Sequence, residues 1–476
     1  MRSVARARHF LRVPVDLWRR RFIVVVALVA WLGALHPIAA PMWVGVGALV
    51  LALPSRRRTL IAIGVLLGVA VLSHNARSGL HPLEAGPWSG RVVLTGDPTE
   101  MPGRVVADVE TDQGRMQMSI SGADAPSVRT SNAGACFEVR GRARPLTRPD
   151  RVASRHLRMA LVVTELTRGD CEEFWRFPVD AIRSAIEVSA EPLPQTQRPI
   201  YLGFIMGDDR GTPQEVIRTF EDSGLSHLLV VSGENVVFVI AVASALLGRT
   251  SPRVRSAGIV VVLLLFTAVT RFEPSVLRAS TMALLAVMGS SSGRPLDTGQ
   301  RLAAAVAILL VIDPLLVESF GFRLSVMASI GIALWARSLQ ARLRGPQWVR
   351  QVLAVTIAAQ LAVAPLVIPV FGPMPSASIP ANVLAGPVAG VVMMWGTSVG
   401  LVAGALGSPF TVALQWPVCV CLWWIVRVAE VCAELPLPRL GTVSILLVLV
   451  SVFGGNRALR ALRSWRTGHR PRCPAD

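Results

Sequence analysis

The sequence predicts a polytopic α-helical membrane protein of about twelve transmembrane helices, with one small extracytoplasmic β-barrel inserted in it. Three observations lead there. The chain of 476 residues is 52% hydrophobic and only 16% charged, which excludes a water-soluble protein of this length and leaves many windows able to cross a bilayer. Its arginines recur in clusters between alternate apolar segments, as cytoplasmic loops require. One long stretch, 75–194, breaks that rhythm and alternates polar and apolar residues with the period of strands.

Three spans open the chain, at 22–38, 42–53 and 59–73. The Arg-rich start reads as an uncleaved first span and not as a signal peptide, because no small-residue cleavage site follows it. Arg19, Arg20 and Arg21 precede the first span, and Arg56, Arg57 and Arg58 separate the second from the third. Both clusters belong in the cytoplasm, so the chain exits after the third span. Residues 1–74 are thus an N-terminal membrane segment and 75–194 an outer domain. In that domain GRVVLTGD, GRVVADVETD, GRMQMSISG, CFEVRGRARPL and LRMALVVTELTRG read as strands punctuated by Gly, Asp and Pro. About five short strands suggest a small barrel, of which an OB-type barrel is one candidate. Cys136 and Cys171 are the two cysteines of this stretch, and an oxidising compartment would pair them. The segment RGRARPLTRPDRVASRHLR is locally basic, either a patch for a polyanion or a solvated charged face.

A linker, EPLPQTQRP, leads to a short amphipathic helix in PQEVIRTFEDSG, with Pro at its start and Gly at its end. The membrane core, 195–455, then has spans at 225–247, 257–270, 275–290, 302–312, 320–336, 352–370, 381–406, 410–433 and 442–453. Arg249, Arg253 and Arg255, then Arg294 and Arg301, then Arg337, Arg342, Arg344 and Arg350 fall in alternate loops, while FGPMPSAS and DPLLVES are poor in Arg. The basic tail, 456–476, also lands inside. This makes a multi-pass protein of the cytoplasmic (inner) membrane with both termini in the cytoplasm, in contact with membrane lipids on all sides. The formal charge of +18, with no lysine, is first of all this topology signal.

Polar groups at bilayer depth are costly and face a bundle interior or a water-filled path. The run HLLVVSGENVVFVI holds His227, Ser232, Gly233, Glu234 and Asn235 where hydrocarbon is expected. A helix broken near Ser232 and Gly233 would leave a half-helix end able to hold a ligand or a second helix. The alternative is a packing site in which Ser and Asn bond a neighbouring helix. His227 and Ser232 are about 140° apart around a helix, which argues against an intramembrane serine protease. Arg278 lies well within an apolar run and wants an anionic partner, either a substrate or an internal carboxylate such as Glu234. Arg323 and Ser325 open a later span, where a snorkelling Arg323 at the interface is favoured over a path role.

These residues resemble the ComEC competence proteins. The resemblance rests on GDDRGTP, with Gly207, Asp208 and Asp209; on SGLSHLLVVSGENV; on PSVLRASTM and GRPLDTGQRLAAA; on Asp313 with Pro314; on GFRLSV; and on AAQLAVAPLVIPVFGPMPSASIPANVLAGP, which holds Asn382. The pieces occur in the family's order over nearly the whole membrane core. Many members read SGLHV where this chain has Ser232, Gly233, Glu234, Asn235 and Val236, so no role that needs a second titrating His carries over. The resemblance implies passage of incoming single-stranded DNA across the cytoplasmic membrane during natural transformation. Its implied partners are single-stranded DNA, a competence pilus or DNA receptor outside and a helicase-like motor inside. These polar residues would line or brace the path of a hydrated polyanion. The barrel would receive the strand, with Trp88 and Phe137 as available aromatics.

Some members add a metallo-β-lactamase-like domain with an H-x-H-x-D-H cluster. No such cluster occurs here, and no His and Cys have metal-site spacing, so neither a metal nor another cofactor nor a catalytic activity is expected. No G-x-x-x-x-G-K-[ST] is present to bind ATP. The rival readings are a transporter of another anionic or lipid-linked substrate and a non-catalytic membrane scaffold.

Overall fold

The computed structural model describes residues 15–35, 56–80, 84–146, 155–169, 177–291, 293 and 295–441. Its chain divides into two compact units. The first comprises Met1–Pro213, His227–Val326 and Val388–Trp423, and the second Gln214–Ser226, Met327–Pro387 and Trp424–Asp476.

In the first unit, helices α1 (Val15–Leu35) and α2 (Arg56–Ser78) pack together through Val29, Ala62 and Leu66. The barrel follows: β1 (Gly86–Leu94), β2 (Thr99–Met101), β3 (Arg104–Thr111), β4 (Gly114–Ile120), a short helix α3 (Ala125–Arg129), β5 (Cys136–Arg144) and β6 (Leu157–Arg168). The sheet runs β1-β5-β6-β4-β3 and closes by pairing β3 with β1, while β2 only extends β3. β4 and β6 are parallel and the other pairs antiparallel. The five expected strands are therefore the five staves of a closed barrel. Period-two alternation fills it: Met116, Met118 and Ile120 point inward from β4, as do Leu157, Met159 and Leu161 from β6. Gly141 lies at a register shift in β5, where any Cβ would strike the Val162 carbonyl. Trp88 and Phe137 are buried in this core, so neither offers a face for stacking a base.

Two helices join the barrel to the membrane core: α4 (Phe177–Ala190) and α5 (Arg198–Met206). The amphipathic segment after them is helix α6 (Gln214–Asp222), where the sequence predicts one. The next helix, α7, runs Gly233–Leu246. The expected span at 225–247 is thus shorter, because 225–232 are a 3-10 turn (Ser226–Leu228), a bend and other non-helical chain. α8 (Pro252–Val269), α9 (Pro274–Ser291), α10 (Thr298–Ile312), a 3-10 turn (Pro314–Glu318) and α11 (Phe320–Gln340) follow. α12 (Gln347–Phe371) lies in the second unit, and α13 (Ser378–Trp395) continues through a π turn into α14 (Leu401–Leu406) before α15 (Phe410–Glu434).

Among the described residues six helical stretches are long and apolar enough to cross a membrane: Leu60–Ser78, Pro252–Val269, Phe320–Gln340, Gln347–Phe371, Ser378–Leu406 and Phe410–Glu434. Phe22–Leu35, Gly233–Leu246 and Thr298–Ile312 are shorter apolar helices, and α9 falls in neither group. The spans expected at 42–53 and 442–453 lie outside the described residues.

Cys136 is disulfide-bonded. Cys171, its expected partner, lies outside the described residues, but Gly169, two positions earlier, donates its N–H to the Cys136 carbonyl at 3.0 Å. Peptide mapping of oxidised, denatured protein should recover a Cys136–Cys171 peptide. Both thiols free would reject the pairing. In the chain-entropy picture its reduction should cost about 3–4 kcal/mol.

Candidate functional site

The polar residues singled out in the sequence fall into three places. The first is the start of α7. Ser232 caps the helix from an extended backbone (φ −105, ψ 162), its Oγ accepting the Glu234 N–H at 3.2 Å. The same hydroxyl donates to Asn235 Oδ1 at 3.3 Å, and buried Asn235 donates from Nδ2 to the Phe204 carbonyl at 2.7 Å. Asn235 is therefore a strut from α7 to the end of α5. Glu234 is exposed.

Gly233 keeps this helix end open to α9. A Cβ there would lie 2.8 Å from Arg278 Nη2 and 3.0 Å from Ala279 Cβ. Ser275 Oγ donates to the Val231 carbonyl at 2.9 Å and fixes the approach. Arg278 Nε donates to Ser325 Oγ at 2.8 Å, and its Nη1 lies 3.3 Å from Met282 Sδ. No carboxylate pairs with Arg278 among the described residues, and the expected alternative, a pair with Glu234, is not formed there. A guanidinium thus faces the N-terminus of a helix, itself the positive end of a dipole. The two positive groups meet at close quarters, and Glu234 in the first turn of α7 does not pair with the guanidinium, a setting that favours an anion.

The second place is a brace. Arg323 donates to the Val317 carbonyl and pairs with Glu318 at 2.7 Å; Glu318 also pairs with Arg77 at 2.7 Å, and Arg77 donates to the Ala34 and Leu35 carbonyls. Arg323 so ties α11 to the ends of α1 and α2. His227 sits exposed in the 3-10 turn before α7. Asn382 belongs to the second unit, where its Nδ2 donates to the Ser378 carbonyl at 2.7 Å.

The third place is the GDDRGTP turn. Gly207 ends α5 with a left-handed φ of 77, which a side chain would strain. Asp208 then turns inward and is buried, receiving Arg210 Nε at 2.7 Å and Nη2 at 2.6 Å, with Arg183 Nη2 at 3.5 Å. The barrel supplies Asp97, from the turn after β1, to Arg183, Arg210 and Arg271. Arg210 also donates to Asn132 Oδ1 at 2.7 Å and to the Ser131 carbonyl at 2.9 Å. The motif is thus a clamp between barrel and membrane core. Asp209 is exposed beside it. Asp97, Arg183, Arg210 and Arg271 were not singled out in the sequence. Arg183 had one signal, since it shares a face of α4 with buried Ile186 and Ala190 at helical spacing.

Among the described residues no three His, Cys, Asp or Glu side chains gather to hold a metal. A family model described as "Competence protein" matches residues 204–465, more than half of the chain, and takes in α7, α9, α11 and Asp208. The chain belongs to the competence protein family. That is the family its motifs resemble. It is 24% identical over 258 residues to "ComE operon protein 3" of Bacillus subtilis, covering 54% of this chain and 33% of that one. An uncharacterized protein of Aquifex aeolicus is 36% identical over 138 residues, 29% of this chain and 33% of the relative. The uncharacterized protein YcaI of Escherichia coli is 25% identical over 202 residues, 39% of this chain and 26% of the relative. The matches thus span about a third or less of these relatives' own lengths. No solved structure matches significantly.

Proposed function

We propose that this competence-family protein passes single-stranded DNA across the cytoplasmic membrane during natural transformation. The observation that carries the reading is Arg278, a guanidinium within the membrane core, set against the α7 N-terminus with no described carboxylate partner. Phosphodiester oxygens are the anions such a meeting point would take in turn, each weakly enough to leave. The work is conduction, with no bond made or broken. Asn235, Ser232 and Gly233 shape the helix end, and Ser325 aims the guanidinium.

The barrel would stand outside the membrane as the receiving domain. A disulfide at Cys136 supports that side, because oxidising compartments preserve such bonds. Five staves closed by the pairing of β3 with β1, with a helix between the staves β4 and β5, support an OB-type reading. With Trp88 and Phe137 in the core, strand contact there would run through the phosphate backbone and the barrel rim. The alternation of Arg clusters supports about twelve spans with both termini inside. A pilus or receptor outside would deliver the strand, and a helicase-like motor inside would pull it.

Deletion of the gene should abolish transformation and stop labelled DNA from reaching a nuclease-protected cytoplasmic pool, while DNA still binds the cell surface. Unchanged DNA entry would reject the reading. Loss of a small anionic or lipid-linked solute's transport in its place would favour a different carrier.

A further inference from the structure

Three turns meet where the barrel joins the core: the turn after β1 with Asp97, the GDDRGTP turn with Asp208 and Arg210, and the turn after α8 with Arg271. Arg183 reaches them from α4, its side chain 4% exposed. The turn after α8 is held in an unusual form. Arg271 and Phe272 both have left-handed backbones, with φ of 56 and 55, which residues other than glycine adopt at a cost. That form delivers the Arg271 side chain to Asp97.

The acceptors are then outnumbered. Arg183 Nη1 donates to the Val269 carbonyl, and the Asp97 and Asp208 carboxylates take several more donors. Arg183 Nε, Arg271 Nε and Arg271 Nη2 are buried with no acceptor among the described residues. Beside these two side chains is a cavity of about 70 Å³, also lined by Thr95, Ala133, Val179, Asp180, Ala268 and Phe272. We propose that Arg183 and Arg271 bind one small inorganic monoanion of the chloride class in this cavity. It would complete the junction between barrel and core.

The orphaned donors favour an anion: three arginines share the Asp97 and Asp208 carboxylates, and Glu273 acts on Arg271 from nearby, yet three buried N–H groups of Arg183 and Arg271 find no acceptor among the described residues. Other carboxylates are near but otherwise placed. Asp180 lines the cavity from an exposed position, and Glu187 accepts from Asn132 Nδ2 at 3.5 Å. Burial draws the Arg183 guanidinium below its ordinary range against the pull of Asp208, and draws Arg271 down to about 9 against that of Glu273. The orphaned Arg183 and Arg271 N–H groups need acceptors, and a halide only accepts, whereas water also brings donors. The volume excludes a nucleotide, so the ligand is a free ion and not the transported strand.

Docking of the barrel would then depend on the anion. Full-length protein in detergent should be held at constant ionic strength while sodium gluconate is replaced by sodium chloride. The unfolding midpoint of the unaltered protein should rise saturably by a few degrees. Arg271→Gln, which keeps bulk and loses the cation, should show no chloride response. Equal midpoints in the two salts for the unaltered protein would overturn the site, as would an Arg271→Gln protein that responds as the unaltered one does. Because Arg271→Gln could fail to fold, bromide in crystals of the unaltered protein gives a second readout. An anomalous peak within hydrogen-bond distance of Arg183 Nε and Arg271 Nη2 supports the proposal. Bromide found only elsewhere, with water at this position, overturns it.

Discussion

Arg278→Leu is expected to reduce DNA entry to the level of the gene deletion while the protein still reaches the membrane at near-normal abundance. The separation follows from its partners. Arg278 bonds a serine hydroxyl and touches a methionine sulfur, and the described residues hold no carboxylate that its removal would strand. Burying a cation costs several kcal/mol, so its replacement by a shorter apolar side chain is expected to leave assembly close to intact. Ser325→Ala, which frees the guanidinium without deleting it, should lower transformation less. The measurement is transformation frequency beside membrane abundance for both variants. Normal transformation by Arg278→Leu would remove this residue from the path. Low abundance would make it a structural element.

Asp208→Ala should behave in the opposite way. Asp208 is buried and takes three side-chain donors from two arginines and the Arg210 backbone N–H. Its loss leaves Asp97 as the remaining carboxylate for Arg183, Arg210 and Arg271, an effect on the order of 3–5 kcal/mol. Abundance should fall steeply and the barrel should become accessible to limited proteolysis at its junction with α4. Asp208→Asn, which keeps the shape and some of the acceptors, should lie between. An Asp208→Ala protein of normal abundance and unchanged unfolding midpoint would show that the clamp contributes little.

The contrast between these two residues shows what was legible in the sequence. The barrel was, since alternation with period two is a local signal and each strand announces its own inward face. The same parity places Trp88 with Val92 and Leu94 inside, and so withdraws it as a stacking platform. The break before α7 was legible because Gly233 and Asn235 interrupt an apolar run. The division of labour among the polar residues was not. Asn235 and Arg278 both read as path residues, yet Asn235 spends its amide on the Phe204 carbonyl and Arg278 has no comparable anchor. Asp208 was visible as part of a motif with its partner Arg210, but its other partner Arg183, and the Asp97 and Arg271 that complete the cluster, come from distant positions that no spacing rule connects. Helices α4 and α5 escaped notice because they are short, begin at or next to prolines and have mixed faces.

The central claim is that the incoming strand passes the meeting point of Arg278 and the start of α7. A photo-crosslinking amino acid in place of exposed Glu234, in the first turn of that helix, tests it most directly in transforming cells given end-labelled DNA. The account predicts a covalent adduct between the full-length protein and single-stranded DNA, formed only while uptake proceeds and lost when Arg278→Leu is added. Crosslinks to lipid or protein alone, in cells that transform normally, would contradict it.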